Sequence, residues 1–259
     1  MYLSKKIKHL IARVHILCHQ KTFEKNGRRI KYLYEPGQNN NVLVVIFSAF
    51  PAINGKSSGG YNMVSTLHGI RCSRLFILDR FGYNGVGTYY LGEKGEFNVY
   101  ELASALIKKF SEGRTKTIFL GSSKGGTAAI YYGICLKADI VIAGAPQYYI
   151  GEYLTSKPEH IPIMDGIAGN HEKETVEYYN HIVPDMVNRE KSNGHTKIYI
   201  HYSPNEPTYH LHIKYLLEDL KNNGYSVMED VESYTEHNDV ARYFPEWCRK
   251  EILEIIEEG

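Results

Sequence analysis

Six short runs of apolar and β-branched residues recur along the chain, most of them followed by a loop and a longer stretch of helical periodicity. They are VLVVIF at 42–47, RLFILD at 74–79, TIFLG at 117–121, DIVIAG at 139–144, KIYIHY at 197–202 and SVMEDVES at 226–233. Runs that are continuously apolar, with no alternation, suit strands buried on both faces. Helices between such strands act as right-handed crossovers, so the pattern predicts a doubly wound α/β domain with a mostly parallel central sheet and helices on both faces. Helical periodicity marks 98–112, 124–137, 208–223 and 239–257. Before the first run, KTFEKNGRRIKYLYEP reads as two strands around Asn26-Gly27, a dipeptide suited to a turn with two positive φ angles. Residues 147–195 break the rhythm, with no strand pattern between two core strands, and read as a small inserted cap.

The chain has 259 residues, which suits one domain, 1–259, with no linker-like shift of composition. Lys plus Arg number 30 and Asp plus Glu 29, a net charge of +1, so no field attracts a phosphate backbone and nucleic-acid binding is excluded as a dedicated function. An apolar share of 43% supports a sizeable core. The 22 tyrosines offer ring area with a hydroxyl, which suits carbohydrate-facing or wet surfaces, although compositional drift accounts for them equally well.

Cysteines at 18, 72, 135 and 248 form no C-x-x-C pair, so they read as scattered core thiols of a reducing compartment, with a cytoplasmic location as the default. No run reaches the roughly 20 apolar residues needed to span a bilayer. The basic, apolar start lacks a cleavage site and is not a signal peptide. Within residues 1–20, Ile7, Leu10, Ile11, Val14 and Leu17 fall at helical spacing opposite Lys5, Lys6, Lys8 and Arg13. This amphipathic helix either packs on the domain or rests on anionic lipid, which would make residues 5–18 a peripheral contact at the inner face of the membrane.

The chemistry is concentrated in TIFLGSSKGGTAAIYYG. Gly121-Ser122-Ser123-Lys124-Gly125 has G-x-S-x-G spacing, directly after a buried-strand pattern and directly before a helical one. A serine at the tip of so tight a turn exposes its oxygen, and glycines two residues to either side remove side chains that would clash. Chance supplies only about 0.1 such matches in a chain of this glycine and serine content. A small-residue turn that merely packs helix on strand is the competing reading. No phosphate cradle is present, because Phe50 stands where the leading glycine of a loop ending at Gly55-Lys56-Ser57 would be needed. His210 and His212 form an H-x-H without accompanying carboxylates, so neither a metal site nor a cofactor is expected.

On these residues the chain resembles the α/β-hydrolase superfamily, from the hairpin through the last helix. The resemblance implies the order serine, acid, histidine, with the acid after the penultimate strand and the histidine after the last one. In this sequence those positions hold Glu206, in KIYIHYSPNEP, and His237, in SVMEDVESYTEHNDV. Ser123 would then be the nucleophile, His237 its base and Glu206 the group that orients the imidazole. Glutamate departs from the commoner aspartate. Asp239 lies too close to His237 along the chain to partner it, and Asp165 would require the cap to fold back. The resemblance also implies an oxyanion hole built from the backbone amide of Lys124 and a second amide in FSAFPA, at Ala49 or at Phe50, where Pro51 restricts the backbone.

The segments LDRFGYNGVGTYYLG, GSSKGGTAAIYYG and IAGAPQYYIGEYL are similar to a branch of hydrolase-fold proteins from bacterial surface-glycan systems. That branch includes capsular-polysaccharide biosynthesis proteins and the accessory Sec component that O-acetylates glycans on exported adhesins. The likeness implies an acyl ester on a sugar or small molecule as substrate, handled by an esterase or O-acetyltransferase. Arg80 would bind the glycan or its phosphate, or else pair with Asp79 or a neighbour. The other reading is a non-catalytic or otherwise catalytic component of a capsule or accessory secretion machine, with the fold as scaffold.

Overall fold

The computed structural model describes residues 14–51, 60–192 and 194–257. Ile7, Leu10 and Ile11 of the amphipathic stretch lie outside the described residues. Residues 14–19 are helical, with Val14 and Leu17 exposed and Ile16 packed on the core.

Eight strands form one sheet: β1 Gln20–Lys25, β2 Arg28–Glu35, β3 Asn39–Phe47, β4 Cys72–Leu78, β5 Lys116–Ser122, β6 Ile140–Gly144, β7 Lys197–Tyr202 and β8 Ser226–Val231. Their spatial order is β1-β2-β4-β3-β5-β6-β7-β8, antiparallel through the first three and parallel from β4 onward. The hairpin closes as its sequence requires. Lys25 pairs with Arg28, and Asn26 and Gly27 between them take φ of 52° and 72°.

Beyond residues 14–19, seven α-helices follow in chain order among the described residues: α1 Asn98–Ser111, α2 Lys124–Cys135, α3 Ile150–Thr155, α4 Ile161–Ala168, α5 Lys173–Glu190, α6 Lys214–Asn222 and α7 Val240–Glu257. Side-chain alternation shows which face each covers. A Cβ on Gly133 of α2 would overlap Val141, so Val141 points toward α2. Gly144 lies three residues further along β6, on the opposite face, and a Cβ there would run into Phe244 of α7. Helices α2 and α7 therefore sandwich the same strands, and β4 and β6, buried along their whole length, needed apolar residues on both faces.

Between β6 and β7 the chain forms α3, α4 and α5. Helix α5 packs against α2 and α6, completing the crossover, and α3 packs chiefly against α5 and also on α4. A turn of π-helix, Tyr209–Ile213, leads into α6 within the stretch whose periodicity reads as one helix. Among the described residues no helix is long and apolar enough to cross a membrane, and all four cysteines are free thiols.

Candidate active site

Ser123 is the residue at which β5 ends and α2 begins, with φ of 51° and ψ of −125°. A side chain held in that region stores on the order of 1–3 kcal/mol of strain, which surrounding contacts must offset. Here the Ser123 amide donates to Gly144 O at 2.7 Å, and its carbonyl accepts the Thr127 amide at 3.0 Å. The flanking glycines are required by contact. A Cβ on Gly121 would overlap the Gly125 carbonyl, and one on Gly125 would overlap the Phe47 carbonyl. The G-x-S-x-G spacing is thus the sequence record of three backbones in close approach.

Strands β7 and β8 deliver the other two groups to the same end of the sheet. His237 Nε2 lies 2.9 Å from Ser123 Oγ, and His237 Nδ1 lies 2.9 Å from Glu206 Oε2. A carboxylate only accepts, so in neutral imidazole the proton sits on Nδ1 and the Nε2 lone pair faces the serine hydroxyl. Thr208 Oγ1, 3.1 Å from Nδ1, shares that proton. Glu206 is wholly buried, whereas His237 keeps 23% of its side chain exposed. Solvent therefore reaches the imidazole and is kept from the carboxylate hydrogen-bonded to it. Of the alternative acids, Asp165 pairs with His171 at 2.7 Å, and Asp239 sits in the turn that His237 itself begins.

Of the two amides implied for the second oxyanion donor, the Ala49 N–H already donates to Asn62 Oδ1 at 2.8 Å. Phe50 packs edge-on against Tyr89. Lys124 stands at the first position of α2, where a backbone N–H has no intrahelical acceptor. Arg80 is exposed after β4, with its charge acting on the half-buried Tyr61 phenol. Its neighbour Asp79 pairs with Lys124 Nζ at 3.0 Å instead.

Besides Thr208, three contributors are not visible in the sequence pattern. Gln147, just past β6, donates its Nε2 to Ser123 Oγ at 2.9 Å. Tyr153 of α3 lies near Ser123 and Glu206, and its phenol is pushed up to about 12 by burial first and then by the Glu206 charge. Asp79 and Lys124 form a fully buried ion pair beneath the elbow. Gln147 carries one usable signal, its place at the carboxyl end of a strand adjoining β5, where ligands of open α/β sheets bind.

Buried His212 lies behind His237, accepting the Tyr149 amide at Nδ1. Burial, and then the His237 charge, lower it to about 4. The unfolded chain therefore holds a proton here between about pH 6.5 and 4 that the native state refuses, so stability is complete above 6.5 and declines as pH falls toward 4, by up to about 3 kcal/mol. We expect the urea midpoint to drop between pH 7 and 5 and the drop to shrink in His212→Gln. An identical pH profile in that variant would refute the assignment. Among the described residues no group of His, Cys, Asp and Glu could hold a metal ion.

The sheet order, the serine elbow after β5 and the histidine after the last strand define an α/β-hydrolase fold. The family model described as accessory Sec system GspB-transporter matches residues 10–259, and the chain belongs to that family. Solved structures share the fold at low identity. The capsule O-acetyltransferase of Neisseria meningitidis serogroup A superposes with a TM-score of 0.73 at 20% identity, covering 92% of this chain and 94% of that one. A chain of the glycosylation-associated Gap123 complex from Streptococcus agalactiae gives 0.75 at 16%, covering 92% of this chain and 46% of that one. The Staphylococcus aureus fluorophosphonate-binding serine hydrolase FphF gives 0.64 at 9%, covering 92% and 97%. No curated protein matches by sequence.

Proposed function

We propose that this protein is a serine acyltransferase or esterase acting on an acyl ester of a bacterial surface glycan, in the setting of accessory Sec export. The observation that carries this reading is the continuous hydrogen-bonded line from Ser123 Oγ through His237 to Glu206, built on a strained elbow. His237 takes the proton as Ser123 attacks the donor carbonyl, Glu206 stabilises the imidazolium, and the acyl group is held as a serine ester. The Lys124 and Phe50 amides serve as oxyanion donors, each contributing about 3–4 kcal/mol to the transition state. Helices α3 and α4, within 147–195, act as the cap, with Tyr153 reaching down to the nucleophile. Arg80 meets an anionic part of the glycan at the rim. The family, and the near full-length likeness to a capsule O-acetyltransferase, support the choice of a glycan.

The test is covalent labelling. A fluorophosphonate probe should modify wild type at Ser123, located by peptide mass spectrometry, and should leave Ser123→Ala unlabelled. Labelling that persists in Ser123→Ala would remove Ser123 from the mechanism, and a wild type that resists the probe would favour a scaffold without serine catalysis.

A further inference from the structure

Gln147 is a side chain that a simple serine hydrolase does not need, and its surroundings hold it firmly. Its backbone is clamped to α2 in both directions, since Gln147 N donates to Thr127 Oγ1 and Thr127 Oγ1 donates to Gln147 O, both at 2.9 Å. At the far end Tyr89 OH donates to Gln147 Oε1 at 3.3 Å. With its oxygen satisfied by Tyr89, the amide turns its NH2 toward the reacting groups, 2.9 Å from Ser123 Oγ and 3.4 Å from His237 Nε2. Gln147 is 1% exposed, its amide hydrogens engaged by Ser123 and His237 while the serine is free.

We infer that Gln147 is the acceptor-binding residue of the second half-reaction, holding the incoming sugar hydroxyl for attack on the acyl-enzyme. This rests on the serine-acyl reading above and deepens it. Once Ser123 is acylated, its Oγ is an ester oxygen and a weaker hydrogen-bond acceptor, which frees an N–H of Gln147. An acceptor oxygen that takes this hydrogen bond lies beside His237 Nε2. The acceptor oxygen forms the new bond to the acyl carbon while its proton passes to Nε2. The tetrahedral intermediate then breaks its bond to Ser123 Oγ, which recovers the proton from His237. The products are the acylated sugar and free enzyme, with no other reactant consumed. Water attacks by the same route, but at solvent concentration it needs no binding group, whereas a dilute sugar hydroxyl must be held. Removing the Gln147 donor therefore weakens transfer more than hydrolysis.

The experiment is a partition measurement. Enzyme is acylated with p-nitrophenyl acetate, the p-nitrophenol burst reports acylation, and acetyl-glycoside against free acetate is quantified with methyl glucoside as acceptor. In Gln147→Leu and Gln147→Ala the transfer-to-hydrolysis ratio, read per acyl-enzyme formed so that any change in the burst cancels, is expected to fall about tenfold, the worth of one hydrogen bond near the upper end of its range. The Thr127 clamp involves only the Gln147 backbone, so both variants should fold, with thermal melting as the check. An unchanged ratio in burst-competent variants, or a wild type that never acetylates the glycoside, overturns this inference and leaves serine acylation standing. A wild type with no burst overturns both.

Discussion

Ser123→Ala and His237→Ala are each expected to lower kcat for p-nitrophenyl acetate by about 10^4- to 10^6-fold, and the double variant by no more than either alone. The reason is geometric. The serine hydroxyl is a poor nucleophile unless its proton leaves as the bond forms, and the proposed base, His237 Nε2, lies 2.9 Å away. Either group without the other does almost nothing, so the losses cannot add. What survives is the contribution of the oxyanion amides and of substrate binding, which neither substitution touches. Glu206→Gln preserves shape but removes the charge beside His237 Nδ1 and should cost about 10^4-fold. Steady-state and single-turnover kinetics on purified variants provide the check. A loss of less than about tenfold from His237→Ala would show that another group takes the proton.

The second large effect concerns stability. Lys124 and Asp79 are both fully buried, with Nζ 3.0 Å from Oδ2, and the ammonium lies over the Phe50 and Tyr90 rings at 5.2 and 5.1 Å. Asp79 also accepts the Thr88 and Tyr90 amides at 2.7 and 3.0 Å, holding a segment in which Tyr89 and Tyr90 adopt φ of 55° and 58°. Gly87 has no side chain because a Cβ there would overlap Lys124 Nζ. Burial lowers the Lys124 pKa and Asp79 opposes that shift, so the ammonium depends on its partner. Lys124→Met leaves a buried carboxylate without its counter-charge, at a cost of about 3–5 kcal/mol in urea unfolding. For a chain of this size that is a fall in Tm on the order of 10 °C. Asp79→Asn combined with Lys124→Met removes both charges and should recover a large part of the loss. If the double variant is no more stable than Lys124→Met, the cost lies in packing and not in the orphaned charge.

These two predictions differ in how far the sequence alone anticipates them. Ser123, Glu206 and His237 stand out because each sits at a strand end, and strand ends are legible wherever a β-branched run stops. The Lys124–Asp79 pair is not legible. Lys124 stands out only as a backbone amide, and the sequence offers Arg80 as a candidate partner for Asp79. In the fold Arg80 is exposed and Asp79 turns inward, because successive residues of an extended chain point to opposite sides. Likewise Ala49 and Phe50 are equivalent as donors until Asn62 engages the Ala49 amide from thirteen residues away.

Stretches 208–223 and 147–195 show the same division. Helical periodicity runs through 208–223 without distinguishing the π-turn at Tyr209–Ile213, whose wider winding is a local adjustment invisible to an averaged pattern. The missing strand pattern in 147–195 is real, yet that stretch divides between α5, which completes the crossover, and α3, which brings Tyr153 to the nucleophile.

By itself the sequence determined the strands, the burial of the central strands β3 to β6 on both faces, the Asn26-Gly27 turn and the serine elbow, because each follows from local sterics and from where apolar residues recur. Strand β8, expected to be buried like them, is a half-exposed edge strand. Only the tertiary structure decided which polar groups converge on Ser123. Gln147, Tyr153, Thr208 and the Asp79–Lys124 pair come from four different connections between strands, and a hydrogen bond between residues remote in sequence leaves no periodic trace in either segment.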